Sequence, residues 1–132
     1  MKNDDDALIE AAKAVRARAH APYSHFHVGS AVLDEQGRIH SGCNVENAAY
    51  PEGICAETAA IAAMVAAGGT RIVAIAAVGG GQQLAACTPC GGCRQRIAEF
   101  ADSKTRIILL DDAGQPRRYT MDELLPASFR LT

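Results

Sequence analysis

Cys55-Ala56-Glu57 and, further along, Pro89-Cys90-Gly91-Gly92-Cys93 combine three thiols with one carboxylate. A Cys-x-x-Cys offers two soft ligands to one metal ion, and Cys55 offers a third. Three protein ligands leave the fourth position of a tetrahedral zinc open to water, which separates hydrolytic zinc from structural zinc. Glu57, two residues from Cys55, is free to carry a proton to or from that water. Three thiolates and one Zn²⁺ leave a net negative charge. That weakens the metal as a Lewis acid, so helix dipoles and N–H···S bonds must offset part of it.

Other readings of the cysteines stay open at this level. Cys90 and Cys93 alone fit a thiol redox pair. Cys87 or Cys43 fits as a fourth ligand that would close the site of a non-catalytic, zinc-stabilised binding module. Cys87 extends the pattern to Cys87-x-x-Cys90-x-x-Cys93, so spacing does not choose the ligands by itself. A place in a loop suits Cys87 as a small half-buried residue, and a strand end suits Cys43 as a core residue. The four histidines, His20, His25, His27 and His40, have no ligand spacing and read as surface or loop residues.

The elements that must position these groups follow from periodicity and punctuation. A helix is expected over residues 4–20, with Asp4, Asp5 and Asp6 at its positive end and Leu8, Ala11, Ala12, Val15 and Ala19 as its apolar stripe. Strands are expected over 28–33 and 38–45, joined at Asp34-Glu35-Gln36-Gly37. An Ala-rich helix over 55–67 ends at Gly68-Gly69, and a buried strand over 72–78 ends at Gly79-Gly80-Gly81. A helix over 91–101, strands over 106–110 and 117–120, and a last helical turn over 121–125 complete the order. The pattern implies one domain, a three-layer α/β/α architecture with a mixed five-stranded sheet. Cys55 and the Cys90/Cys93 pair both fall at helix starts, where free N–H groups favour thiolates.

Composition bounds the function. The 132 residues carry 13 basic and 15 acidic side chains, with no basic block to hold nucleic acid or an anionic membrane. No apolar run reaches membrane-spanning length, and three aspartates stand where a signal peptide needs positive charge. Five cysteines without an export signal point to metal chemistry and a cytoplasmic location.

The Cys-x-Glu and Pro-Cys-x-x-Cys pair resembles the signature of the zinc deaminases, an example the physical chemistry of base deamination already supplies. Four segments bring the resemblance to the cytidine deaminases of the short, homotetrameric kind. They are Ala21 to Phe26 with Val28-Gly29, Gly42 to Tyr50, Thr88 to Gln95, and Glu123 to Pro126 with Phe129. The resemblance implies one zinc per subunit on Cys55, Cys90 and Cys93, and Glu57 as proton shuttle. It implies Asn44 and Glu46 on the ribose hydroxyls, where residues two apart on a strand share a face. It implies Phe26 and Phe129 on or near the pyrimidine, with Phe129 reaching a neighbouring subunit, and the backbone at Ala56 and Thr88 on the base edge. By itself, an aromatic so near the chain end suggests anchoring in its own core. The implied reaction is hydrolytic deamination of cytidine and deoxycytidine in pyrimidine salvage. Another aminopyrimidine nucleoside such as blasticidin S is the alternative substrate. Related enzymes often carry Arg directly after Cys-Ala-Glu, where this chain has Thr58. Arg94, Gln95 or helix N–H groups are therefore expected to balance the thiolate charge.

Overall fold

The computed structural model describes residues 3–131. Helix α1 (Asp4–Arg16) is capped by Asn3, whose side chain accepts from the Asp6 amide, and its three aspartates sit at the dipole's positive end. Strands β1 (His27–Asp34) and β2 (Ile39–Cys43) form the expected hairpin. Then come α2 (Ala56–Ala66), β3 (Ile72–Gly80), β4 (Leu84–Ala85), α3 (Gly91–Phe100), β5 (Arg106–Leu110), β6 (Pro116–Tyr119) and α4 (Met121–Leu124). The sheet runs β2-β1-β3-β5-β6, with β4 hydrogen-bonded to β3 beyond that path.

The mixed three-layer arrangement agrees with expectation, and the sheet has six strands instead of five. The extra strand is β4, two exposed residues paired to Gly79 and Gly80. A two-residue strand has no alternation to read, and the glycine run looked like an end. β2 and β1 are antiparallel, as are β1 and β3, whereas β3 and β5 are parallel. It follows that β2, β3 and β5 point the same way. The two crossovers, through α2 and α3, leave from the same edge of the sheet and lie on one face.

Side chains alternate across the sheet. Val32, Ile75, Ala77, Ile107 and Leu109 pack with Ala60, Ile61 and Met64 of α2 and Ile97 and Ala98 of α3. Ala31, Leu33, Ala74, Ala76, Val78 and Ile108 pack with Leu8, Ile9 and Ala12 of α1 on the other face. Two glycines let the helices approach. A Cβ on Gly29 would lie 2.0 Å from the Ala12 carbonyl oxygen, and one on Gly42 would lie 2.5 Å from the Ala60 amide nitrogen.

α1 stops short of the expected residue 20. The Arg16 side chain turns back, donating from Nε to the His27 carbonyl (3.0 Å) and from Nη2 to the Gly80 carbonyl (3.0 Å). Residues beyond it are drawn into a backbone bridge, with His20 N donating to Asn44 O and Glu46 N to His20 O. β2 likewise ends at Cys43, two residues before expectation, because Val45 leaves the hairpin to pair with His20 and Ile54. That bridge fixes the Asn44–Glu46 segment. His40 also departs from expectation. It is no surface residue: Nε2 meets Oδ2 of Asp34 at 2.8 Å, and Asp34 is 1% exposed.

Candidate active site

Cys55 is the N-cap of α2 and Cys90 the N-cap of α3. Since both helices start at one edge of the sheet, the caps meet. The sulfurs of Cys55, Cys90 and Cys93 all lie within 4.8 Å of one another. Cys55 Sγ and Cys90 Sγ are 3.9 Å apart. A tetrahedral zinc with Zn–S bonds of ~2.3 Å separates its sulfurs by roughly 3.8 Å, so the donor set and its spacing fit that ion. Among the described residues, neither Cys43 nor Cys87 joins the cluster, and the half-buried Cys87 stands in the loop ahead of α3.

The protonation chemistry of the sulfurs is cooperative. The Cys93 thiol, hydrogen-bonded to Cys55, lowers the Cys55 thiol against the raising effect of burial. The same bond, together with burial and the nearby charge of Glu57, pushes Cys93 far up. Three sulfurs so close cannot all ionise without a cation among them. Cys87 is pushed up to about 11, first by burial and then by Glu57, and is a neutral thiol. Cys93 N donates to Cys90 Sγ at 3.4 Å, an N–H···S bond within the first turn of α3.

Beside the cluster opens a cavity of about 590 Å³ lined by Asn44, Glu46, Cys55, Ala56, Glu57, Cys87, Thr88 and Cys90 together with residues of the Tyr23–Val28 and Tyr50–Ile54 segments. Its size lies within the ~300–1,000 Å³ range of small-molecule sites. Glu57 is 4% exposed, and burial raises its carboxyl above the ordinary value while the Arg96 charge opposes that rise. A buried carboxyl that still faces a cavity holds a proton more readily than an exposed one and can pass it to a partner there.

Glu46 is held as a carboxylate. Its Oε1 accepts from Tyr23 N (3.0 Å) and Ser24 N (3.1 Å), and Oε2 accepts from the Ser24 hydroxyl. These bonds, the hydroxyl first, lower its carboxyl below the usual range. Asn44 Oδ1 accepts from Val28 N at 2.8 Å, and Nδ2 donates to Phe26 O at 2.9 Å. One N–H and one lone pair of that amide remain for a ligand. Both residues line the cavity, yet they lie past the end of β2, so the shared-strand argument for their common orientation does not apply. The bridge at Val45 does that work.

The aromatics divide. The Phe26 ring edge lies beside Gly79 and Cys87, where a Cβ on Gly79 would come within 3.0 Å of it. Neither ring lines the cavity, and Phe129, 70% exposed, is not anchored in its own core. The expected charge-balancing residues divide too. Thr58 Oγ1 lies 3.8 Å from Cys93 Sγ. Arg94 and Gln95 do not reach the sulfurs. Arg94 donates to Pro89 O (2.8 Å) and Leu124 O (2.7 Å), and Gln95 donates to Phe129 O (3.2 Å). Among the described residues, the basic side chain that bonds to the cluster is Arg96, whose Nη1 donates to Cys93 Sγ at 3.8 Å. Its i,i+3 spacing from Cys93 was the available signal. Tyr23 and Tyr50 were also missed. Their rings meet edge to face, with centroids 6.0 Å apart, at the cavity wall.

Residues 2–109 match the family described as the cytidine and deoxycytidylate deaminase zinc-binding region. A curated cytidine deaminase of Sporosarcina psychrophila is 40% identical over 126 residues, covering 96% of this chain and 91% of that protein. One of Mycobacterium tuberculosis is 42% identical over 115 residues, covering 87% of this chain and 81% of that protein. The crystal structure of cytidine deaminase from Burkholderia pseudomallei superposes with a TM-score of 0.86 at 41% identity, covering 98% of this chain and 100% of that one. The match takes in all three clustered cysteines and the cavity they border, and the chain belongs to the cytidine and deoxycytidylate deaminase family.

Proposed function

We propose that this chain hydrolyses the C4 amino group of cytidine and deoxycytidine, giving uridine or deoxyuridine and ammonia. The observation that carries the reading is the three-sulfur cluster beside a nucleoside-sized cavity that the buried Glu57 also lines. Cys55, Cys90 and Cys93 would hold one zinc ion per chain. When bound, that ion supplies the Lewis acidity that makes water a nucleophile near neutral pH. Glu57 accepts one proton of this water and delivers it to N3 of the base, then takes the second from the new C4 hydroxyl and passes it to the departing amine. Oxygen joins C4, the C4–N bond breaks, and one water is consumed for each ammonia released.

The remaining assignments combine the cavity wall, which Asn44, Glu46, Ala56 and Thr88 line, with the chain's kinship to the cytidine deaminases, which supplies Phe26 and Phe129. Asn44 and Glu46 hold the ribose hydroxyls, Phe26 flanks the pyrimidine, and the backbone at Ala56 and Thr88 meets the base edge. Glu46, already ionised, is a fixed acceptor for a sugar O–H. Phe129 completes the site of a neighbouring subunit in a homotetramer, which accords with its exposure here. All 132 residues act as one catalytic domain, in pyrimidine salvage and in the cytoplasm. Among the described residues, no helix is long and apolar enough to cross a membrane.

Replacing the shuttle tests the mechanism. Glu57→Ala should keep its zinc and lose about 10²–10⁴-fold in kcat. Near-wild-type turnover in the zinc-loaded variant would refute the role of Glu57.

A further inference from the structure

Three thiolates around one divalent cation leave a net negative charge next to the reacting water. Among the described residues, no lysine or arginine lines the substrate cavity to offset it. α2 contributes only the Thr58 hydroxyl, 3.8 Å from Cys93 Sγ. The compensating cation comes from α3. One turn after Cys93, Arg96 folds back along its own helix so that Nη1 donates to Cys93 Sγ at 3.8 Å. Gly92 makes room for that path: a Cβ there would lie 3.2 Å from Arg96 Nη1. Arg96 lines a separate groove with Thr58, Ile61, Gln95, Glu99 and Phe100. Cys93 itself is fully buried, so this side chain is the route by which positive charge reaches it from that groove.

We propose that Arg96 is the charge-compensating partner of the thiolate cluster, supplying through α3 the positive charge that α2 lacks at Thr58. It is a positioning residue, because it touches a metal ligand and lines no part of the substrate cavity. The inference rests on the zinc reading above. It gives Arg96 the duty first expected of Arg94 and Gln95.

The test is zinc affinity, measured by competition with a chromophoric chelator on the full chain. Circular dichroism of each metal-free variant checks that α3 stays folded. Arg96→Ala should weaken zinc about 10–100-fold, the usual cost of losing an outer partner of a metal ligand. Arg96→Lys should recover part of that loss, because it keeps the charge without the fork geometry. Moving the charge to the other helix is the sharpest arm. Thr58→Arg placed in the Arg96→Ala background should restore affinity, since position 58 adjoins the same sulfur. In the cobalt-substituted proteins, the thiolate-to-metal charge-transfer band should shift on losing Arg96 and return with Thr58→Arg. A purely structural role would not produce that reversal.

If Arg96→Ala binds zinc within twofold of wild type while Cys93→Ser loses it, the inference falls and the metal site stands. If neither Arg96→Lys nor Thr58→Arg recovers affinity, charge compensation is likewise overturned. If Cys93→Ser binds zinc as wild type does, the metal site itself falls, and the inference with it.

Discussion

Glu46 owes its readiness to Ser24. The Ser24 hydroxyl and the amides of Tyr23 and Ser24 converge on one carboxylate, and the Ser24 Oγ also accepts from Phe26 N at 3.0 Å. One serine thus joins the proposed sugar acceptor to the backbone of Phe26, the aromatic proposed to flank the base. Ser24→Ala removes one charge-assisted hydrogen bond and leaves both amides, which loosens the positioning of Glu46. We expect KM for cytidine to rise about tenfold or more with kcat little changed, and steady-state kinetics would measure it. An unchanged KM would contradict the role given to Ser24. The three cysteines were legible as metal ligands by residue type, but spacing left Cys87 and Cys43 open until the fold separated them from the cluster. Arg96 was not legible, because an i,i+3 pair to a sulfur looks like any surface arginine on a helix until the direction of its side chain is known.

At the scale of elements, the site depends on two helices that begin at cysteines. Their starts were readable because glycine, proline and cysteine punctuate the chain there, and their common edge followed from the crossover rule. The ends of α1 and β2 were not readable. Each is set by a tertiary competitor, Arg16 bonding to strand carbonyls and Val45 pairing with His20 and Ile54. The β1–β2 turn shows a similar dependence on partners. Burial alone would raise the Asp34 carboxyl. Hydrogen bonds from His40, from the Arg38 and Gln36 amides and from the Arg38 guanidinium outweigh it and hold Asp34 well below the usual carboxylate range. A depressed folded value contributes stability that is complete above the unfolded value, 3.8, and is lost as pH falls below it. Asp34→Asn should therefore cost about 2–3 kcal/mol at neutral pH and flatten the decline in stability below pH ~4. Urea melts of both proteins across acid pH check this; parallel pH profiles would contradict it.

The whole molecule leaves aromatic and aliphatic surface uncovered. Tyr23, Tyr50 and Ile54 stand at the cavity, and Phe129 and Leu131 stand near the chain end, all exposed. Such exposed apolar groups are what the proposed homotetramer, with Phe129 entering a neighbour's cavity, would cover. Mixing distinguishes that arrangement from a self-contained site. Glu57→Ala chains lack the shuttle and keep Phe129, and Phe129→Ala chains have the reverse. Reassembled together, they should form some complete sites and give activity above the sum of the two alone. A strictly additive mixture would place Phe129 outside its neighbour's site.

The most direct test of the central claim is a zinc titration of metal-stripped wild-type protein, followed by the loss of cytidine absorbance. The account predicts no turnover without metal, then a rise that saturates at one zinc per chain as uridine and ammonia appear in equal amounts. Full activity in metal-free protein, or one tightly bound zinc with no turnover of cytidine or deoxycytidine, would contradict it.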